Sequence, residues 1–405
     1  MKCRIRRIAV IILMLSSLFG TLATAGSSQA ASLVEGNTAF ALDVYARLKD
    51  TPGNLFFSPY SISTALAMTY AGARGDTEKQ MGKVFHFDTD KNKLHVGFGE
   101  LQNQLNECGK QKGIELSVAN ALWTQQGHTF IPGFLKTAKE NYQANLNQTD
   151  FRTGADVARN EINRWVAQNT KDKIQNILPP GSLGALTRLV LANAIYFKGA
   201  WTEPFNKAAT SIQPFNLSSA NKIEVPLMHH FDNVAYLENS DFQAVELPYS
   251  SGDLAMVILL PRQVDGCSSL EERLSPSLLS HSLGQMKTQR VEILLPRFKL
   301  ESGFDLVQTL ANMGMPDAFG SKADFSGVDG TRDLFITAIF HKAWGEVNEE
   351  GTEAAAATAV VVGRAAVMKP QPPPVFRADH PFIFLIRDTR SGSLLFLARL
   401  IEPKT

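Results

Sequence analysis

The spacing of hydrophobic positions changes character along the chain, from helical in the first half to alternating in the second. Asn37–Lys49 puts Phe40, Val44 and Leu48 on one face and reads as an amphipathic helix. Asn54–Ser58 is a short apolar strand broken by Pro59. Ser61–Tyr70 is rich in Ala, Leu and Met and predicts a helix ending at Gly72, with Ser58 or Ser61 as its natural N-cap. Further helices are predicted over Asp76–Val84, Asn92–Leu105, Pro132–Asn141 and Asp156–Thr170. Leu116–Trp123 alternates cleanly and reads as a strand. Leu189–Phe197 is almost continuously apolar, the signature of a strand covered on both faces. Its one strongly polar member, Asn193, must find hydrogen-bond partners if buried.

Strands dominate the second half: Ile223–His229, Phe242–Leu247, Leu254–Leu260, Val291–Leu295, Leu334–Lys342, Phe382–Arg387 and Leu394–Leu400. Helical patterns intervene at Leu270–Gln285 and Phe304–Met313. No fixed-period repeat and no low-complexity linker divides the chain, and strands do not alternate regularly with helices. This pattern predicts one large α+β domain.

One stretch fits neither pattern. Glu349–Val362 is almost entirely small residues, lies between two strand-like runs, and is followed by the proline-rich Pro370–Pro374. At a period of two, one face carries Thr352, Ala354, Ala356, Thr358, Val360 and Val362. That face can enter a core without collision, so the stretch suits an exposed loop in one state and a buried strand in another. Its alanines, with Glu349, Glu350 and Glu353 near the start, also fit a helix. The apolar run is too short to span a membrane, and Arg364 follows it.

Composition narrows the function. Of 405 residues 44% are hydrophobic, enough for a sizeable core, and the net charge of +1 gives no reason to expect a nucleic acid partner. Lys2, Arg4, Arg6 and Arg7 precede the apolar Ile8–Leu18, and small-residue cleavage patterns end at Ala25 and Ala30. This predicts a signal peptide over residues 1–30 and a protein that is secreted, or periplasmic in a bacterial host. The folded domain is then 31–405. Cys108 and Cys267 could pair in an exported protein, but two cysteines this far apart read as free rather than as a disulfide framework. There is no G-x-S-x-G, H-E-x-x-H or P-loop pattern, and His229-His230 would face opposite sides of a strand. The residues therefore indicate no enzyme active site, no metal site and no cofactor.

Taken in order, segments from Ser32 to Pro403 resemble the serpin family. Asn54–Ser63 resembles its opening strand and helix, Ala71–Thr77 the turn that follows, and Leu191–Trp201 the strand running to the top of its main sheet. His341–Ala343 with Glu349–Thr358 resembles the strand and hinge before the reactive loop; Asp379–Phe382 and Gly392–Arg399 resemble the C-terminal strands. The resemblance implies a single serpin domain, with helices on a large central mixed sheet, further sheets and an exposed reactive-centre loop over about 349–375. It implies a monomeric suicide inhibitor of serine endopeptidases, without stable membrane association. The loop is cleaved, an acyl-enzyme forms, and the hinge Glu349, Glu350, Gly351, Thr352, Glu353, Ala354, Ala355, Ala356, Ala357, Thr358 inserts into the sheet. Ser58, Asn193 and His341 resemble the buried polar cluster under the opening sheet, and Trp201 the tryptophan where insertion begins. The family's loop length places the scissile bond between Ala365 and Ala366, which suits elastase-like or subtilisin-like enzymes. A one-residue shift makes Arg364 the specificity residue, for trypsin-like enzymes, and the long proline-rich tail leaves Met368 as a third site. A non-inhibitory serpin, acting as chaperone, carrier or storage protein, is the alternative; the small-residue hinge weighs against it.

Overall fold

A computed structural model of the chain describes residues 31–87, 90–352 and 372–404. Its strands, in chain order, are β1 (Leu55–Phe57), β2 (Ile114–Gln125), β3 (Asn145–Thr149), β4 (Leu189–Ala200), β5 (Ser211–Asn216), β6 (Lys222–Glu238), β7 (Phe242–Pro248) and β8 (Leu254–Pro261). They continue with β9 (Lys287–Pro296), β10 (Phe298–Asp305), β11 (Ile336–Asn348), β12 (Gly351–Thr352), β13 (Val375–Arg377), β14 (Phe382–Asp388) and β15 (Leu394–Leu400). One six-stranded mixed sheet has the order β10-β11-β12-β4-β2-β3, with β11 also paired directly to β4. A nine-stranded sheet runs β1-β15-β14-β8-β7-β6-β9-β13, with β5 paired to β6. With helices packed around both sheets, this is the expected α+β architecture.

β4 shows why a continuous apolar run folds this way. Leu189, Leu191, Ile195 and Phe197 enter the larger core, which also contains Leu66 and the second sheet's Phe384 and Phe396. The alternate residues Val190, Ala192 and Ala194 enter a smaller core with Phe151, Ile162 and Val166 of the helix Phe151–Asn169. The six-stranded sheet is therefore covered on both faces. On the larger-core side lies the helix Pro59–Tyr70, every residue of which is buried.

Several boundaries differ from the sequence reading for local reasons. The helix expected from Ser61 begins at Pro59, whose missing N–H costs nothing in a first turn. Ser58 is its N-cap, accepting from the Ser61 N–H. The helical pattern Leu270–Gln285 is two helices, Cys267–Arg273 and Pro276–Gln285, because Pro276 starts a new one behind the Ser275 cap. Only Val307–Met313 of Phe304–Met313 is an α-helix, since Phe304 and Asp305 close β10. β3, β5, β10 and β13 carry exposed or polar positions that hide their alternation. Cys108 and Cys267 are both buried and free.

Phe151 is fully buried between its helix and the sheet. Phe151→Ala is expected to lower unfolding stability by about 3–5 kcal/mol, measured by urea titration followed by circular dichroism.

Candidate functional site

β4 and β11 lie side by side and parallel, paired from Leu189–Ile336 to Tyr196–Trp344. Above Trp344 the pairing stops and the chain turns back. Gly351 and Thr352 then pair antiparallel with Asn348 and Val347 of β11, and with Ala200 and Gly199 of β4. The first hinge residues thus sit in the fork between the two strands. Sequence reasoning expected this part of the loop to be exposed, but Glu349 and Thr352 are each 2% exposed. The backbones of Gly351 and Thr352 pair with both flanking strands and the Glu349 carbonyl accepts from the Phe205 N–H, as burial requires. The strand conformation at 351–352 also displaces the helical alternative there.

The turn into the fork depends on one residue. The Asn348 side chain accepts from the Glu350 N–H at 3.0 Å. Gly351 then adopts φ +147°, and a Cβ there would lie 2.0 Å from the Gly199 carbonyl oxygen and 2.6 Å from the Ala200 Cα. Only glycine fits so close an approach at that angle.

A set of side chains holds the hinge in place. Trp201 donates its backbone N–H to Glu350 O at 2.9 Å and its indole N–H to Asn348 O at 3.0 Å. The Phe205 N–H donates to Glu349 O at 2.8 Å. Trp201 stacks on Tyr249 with ring centroids 4.8 Å apart, and the Tyr249 hydroxyl is 2.9 Å from Thr352 Oγ1. The Glu349 carboxylate takes both of its oxygens to Arg297 Nε at 2.7 Å, and the Thr210 hydroxyl donates to it at 2.5 Å. Burial opposes that charge, but the Arg297 and Thr210 hydrogen bonds outweigh it and hold the carboxyl below its ordinary range. Lys207 pairs with Glu350 beside it.

Lower in the same seam, three polar residues form a row across the sheet. Asn193 of β4 is in register with Asn120 of β2 on one side and His341 of β11 on the other. The Asn193 amide donates to Ser61 Oγ at 2.6 Å and Ser61 O at 2.9 Å, and also reaches Asn120 Oδ1. The Ser58 N–H donates to His341 Nε2 at 3.0 Å, so Nδ1 carries the ring proton and gives it to Asn193 Oδ1. His341, Asn193 and Ser58 are each at most 1% exposed. Burial pushes the His341 pKa down to about 3. A second ring proton would also face the Ser58 N–H donor.

Ser58, Asn193 and His341 are thus brought together, while Trp201 lies at the fork above them. Glu353, Ala354, Ala355, Ala356, Ala357 and Thr358 of the hinge, and Arg364, Ala365, Ala366 and Met368, lie outside the described residues, as does 1–30. Sequence reasoning missed Asn120, Ser61, Thr210, Tyr249 and Arg297 as members of these networks. Asn120 carried a usable signal, a lone amide in an alternating apolar strand, like Asn193. Arg297 carried none, because its partner is distant in sequence.

Gly351→Ala is expected to expel residues 351–352 from the fork and shift Trp201 fluorescence; an emission spectrum identical to that of the unaltered protein contradicts this placement. The pH dependence follows from His341. The unfolded chain takes up this proton near pH 6.5, whereas the folded chain refuses it until about pH 3. Stability therefore falls as pH drops from about 6.5 toward 3. In His341→Gln, the slope of unfolding free energy against pH should be shallower by up to about one proton, read from urea titrations at stepped pH.

A family model described as Serpin (serine protease inhibitor) matches residues 35–403. The leukocyte elastase inhibitor of Sus scrofa is 42% identical over 381 residues, covering 92% of this chain and 99% of that one. Serpin B3 of Homo sapiens is 38% identical over 393 residues, covering 92% and 100%. Among solved structures, Serpin48 of the insect Tenebrio molitor matches with a TM-score of 0.82 at 34% identity, covering 92% of this chain and 98% of that one. These matches correct the expectation of a secreted, extracellular or periplasmic protein. The elastase inhibitor and serpin B3 relatives are intracellular serpins. The export pattern is a local feature of residues that precede the matched region. With its length matched by the family model and by relatives at 42% identity, the chain belongs to the serpin family and is not itself an enzyme, and its elastase-inhibitor relatives are protease inhibitors.

Proposed function

We propose that this serpin is an inhibitory one, a suicide substrate for an elastase-like or subtilisin-like serine protease, cleaved between Ala365 and Ala366. Cleavage frees the loop at its far end while Gly351 and Thr352 already occupy the fork. That placement is the observation that carries the reading. The next residues then add one at a time between β4 and β11, drawing the acylated protease along the sheet before water releases it.

The residue chemistry supports this order of events. Thr352 already points inward, and Ala354 and Ala356 share its phase, so insertion buries small side chains. Glu353 falls on the opposite phase. A proline in this part of the hinge would remove a ladder donor, and a charge in the inward phase would be costly to bury. About a dozen new residues in the ladder, at ~1 kcal/mol each, release on the order of 10 kcal/mol. The uncleaved fold is then held by a barrier rather than by being the most stable state. The elastase inhibitors among the relatives support an elastase-like target. Arg364 in the specificity position would instead give a trypsin-like target, and Met368 a third register.

The protein is to be incubated with elastase, subtilisin and trypsin, separated on denaturing gels, and the cleaved loop sequenced. A covalent complex that survives denaturant, with cleavage after Ala365, is the expected result. Clean cleavage of the loop without loss of enzyme activity sinks the inhibitory reading. Thr352→Arg is expected to raise the stoichiometry of inhibition severalfold, because a buried guanidinium slows insertion until hydrolysis wins.

A further inference from the structure

Two helices that take no part in the hinge, Lys91–Cys108 and Pro132–Tyr142, enclose a cavity of about 390 Å³ at their N-terminal ends. That is the size of a small-molecule site. The two helix ends differ. Asp90 caps the first, accepting from the Asn92 and Lys93 N–H groups at 3.1 and 3.2 Å. The second has Ile131 in the cap position and no side-chain cap. Pro132 has no N–H, so its open donors are those of Gly133 and Phe134, which have no hydrogen-bond partner among the described residues. Both residues line the cavity. A Cβ at Gly133 would meet nothing within 4 Å, so the backbone there is open to approach. An uncapped helix N-terminus favours an anion.

An independent donor belongs to the same space. His95 lines the cavity although it is only 5% exposed. Its Nδ1 is 2.6 Å from the Tyr142 hydroxyl, and its Nε2 is buried without a partner. Burial and the nearby Lys91 charge push its pKa down to about 4, so the ring is neutral and carries one N–H. The Tyr142 hydroxyl is buried too, with no other partner among the described residues. A proton on Nδ1 would strand the hydroxyl hydrogen as well as Nε2. A proton on Nε2 lets the hydroxyl donate to Nδ1 and leaves one orphan, an N–H on the ring edge away from Tyr142. Such a donor is costly to bury without an acceptor. The surrounding charges agree. Lys91 is paired with Glu78 at 3.1 Å and donates to Ala73 O at 2.9 Å. Asp324, near Arg74, is paired with Arg332 at 2.9 Å. The Arg74 guanidinium, which also lines the cavity, bonds the Ala71 and Ala73 carbonyls and makes no ion pair among the described residues. One positive charge is therefore left over.

We propose that this cavity binds a small organic anion. Its carboxylate or phosphate head is held by the Gly133 and Phe134 N–H groups and His95 Nε2–H, with the Arg74 charge beside it, and its apolar body lies against Ile131 and Phe134. The occupant ties the helix Lys91–Cys108 to the helix Pro132–Tyr142. The site does not depend on the inhibitory reading above.

The test is calorimetric titration of the full chain at constant ionic strength with phenyl phosphate, benzoate and neutral benzyl alcohol. Saturable binding of phenyl phosphate or benzoate, with benzyl alcohol inert, is the expected result, and the tighter of the two anions identifies the head group. The unfolding midpoint should rise with the concentration of the bound anion. His95→Phe and Arg74→Met should each weaken binding about tenfold, the loss of one hydrogen bond or charge contact to an anion. Arg74 is exposed, so Arg74→Met reports on the site even if His95→Phe does not fold. Absence of saturable binding for both anions overturns the proposal. So does benzyl alcohol binding as tightly as benzoate, which makes the cavity a merely apolar one. Anion affinities in Arg74→Met and a folded His95→Phe within about twofold of the unaltered protein's place the binding elsewhere and also overturn it.

Discussion

The parallel pairing of β4 with β11 is the constraint on which the rest of the molecule depends. Parallel strands are ordinarily central and covered on both faces, and these are. Here their pairing ends at Tyr196 and Trp344, and two hinge residues fill the space above. The sheet is thus complete at its lower end and wedged open at its top. A strand can be added to such a sheet only by parting a seam already closed by backbone hydrogen bonds and by the His341–Asn193 contact. On the proposed mechanism the same seam sets the barrier to insertion of the loop and supplies the ladder that stabilises it afterwards.

The polar groups along the seam can be understood in that light. An apolar pair in place of His341 and Asn193 would pack against the helix Pro59–Tyr70 without directional demands. The existing pair instead ties β11, β4 and the helix N-terminus through Ser58 and Ser61 into one hydrogen-bonded network. Such a network is costly to leave half broken, so partial opening is unfavourable and the seam tends to be shut or fully filled. At the top, the buried Glu349 is held by Arg297 and Thr210 at the bend between β11 and β12. Its backbone is held by Phe205 and that of Glu350 by Trp201, so the hinge starts from a fixed position.

Much of this was legible in the chain before its fold was known. The apolar run of β4, the capping Ser58 and the alternation of small residues after Glu349 each have a local physical cause, and local causes leave local patterns. Asn193 announced a need for partners but not their names. What stayed hidden depends on distant pairing. Arg297 and Glu349 meet only because β10 and β11 are neighbours, and Tyr249 reaches Thr352 through a loop from the other sheet. The two-residue insertion was hidden for a related reason: the same glycine serves an exposed hinge or a tight turn, and only the approach of Gly199 decides which. The amino-terminal pattern misled in the opposite way, since a short run of charge and apolarity reads the same whatever fold follows it.

On the proposed mechanism the uncleaved chain is a trapped state, with a better-paired sheet available once its loop is cut. The direct measurement is the stability of the chain before and after a single cut within the loop by a protease it does not trap. If the hinge inserts, the cut protein should gain on the order of 10 kcal/mol and remain folded at temperatures that unfold the intact chain. Equal unfolding midpoints for the cut and intact chains would contradict the account.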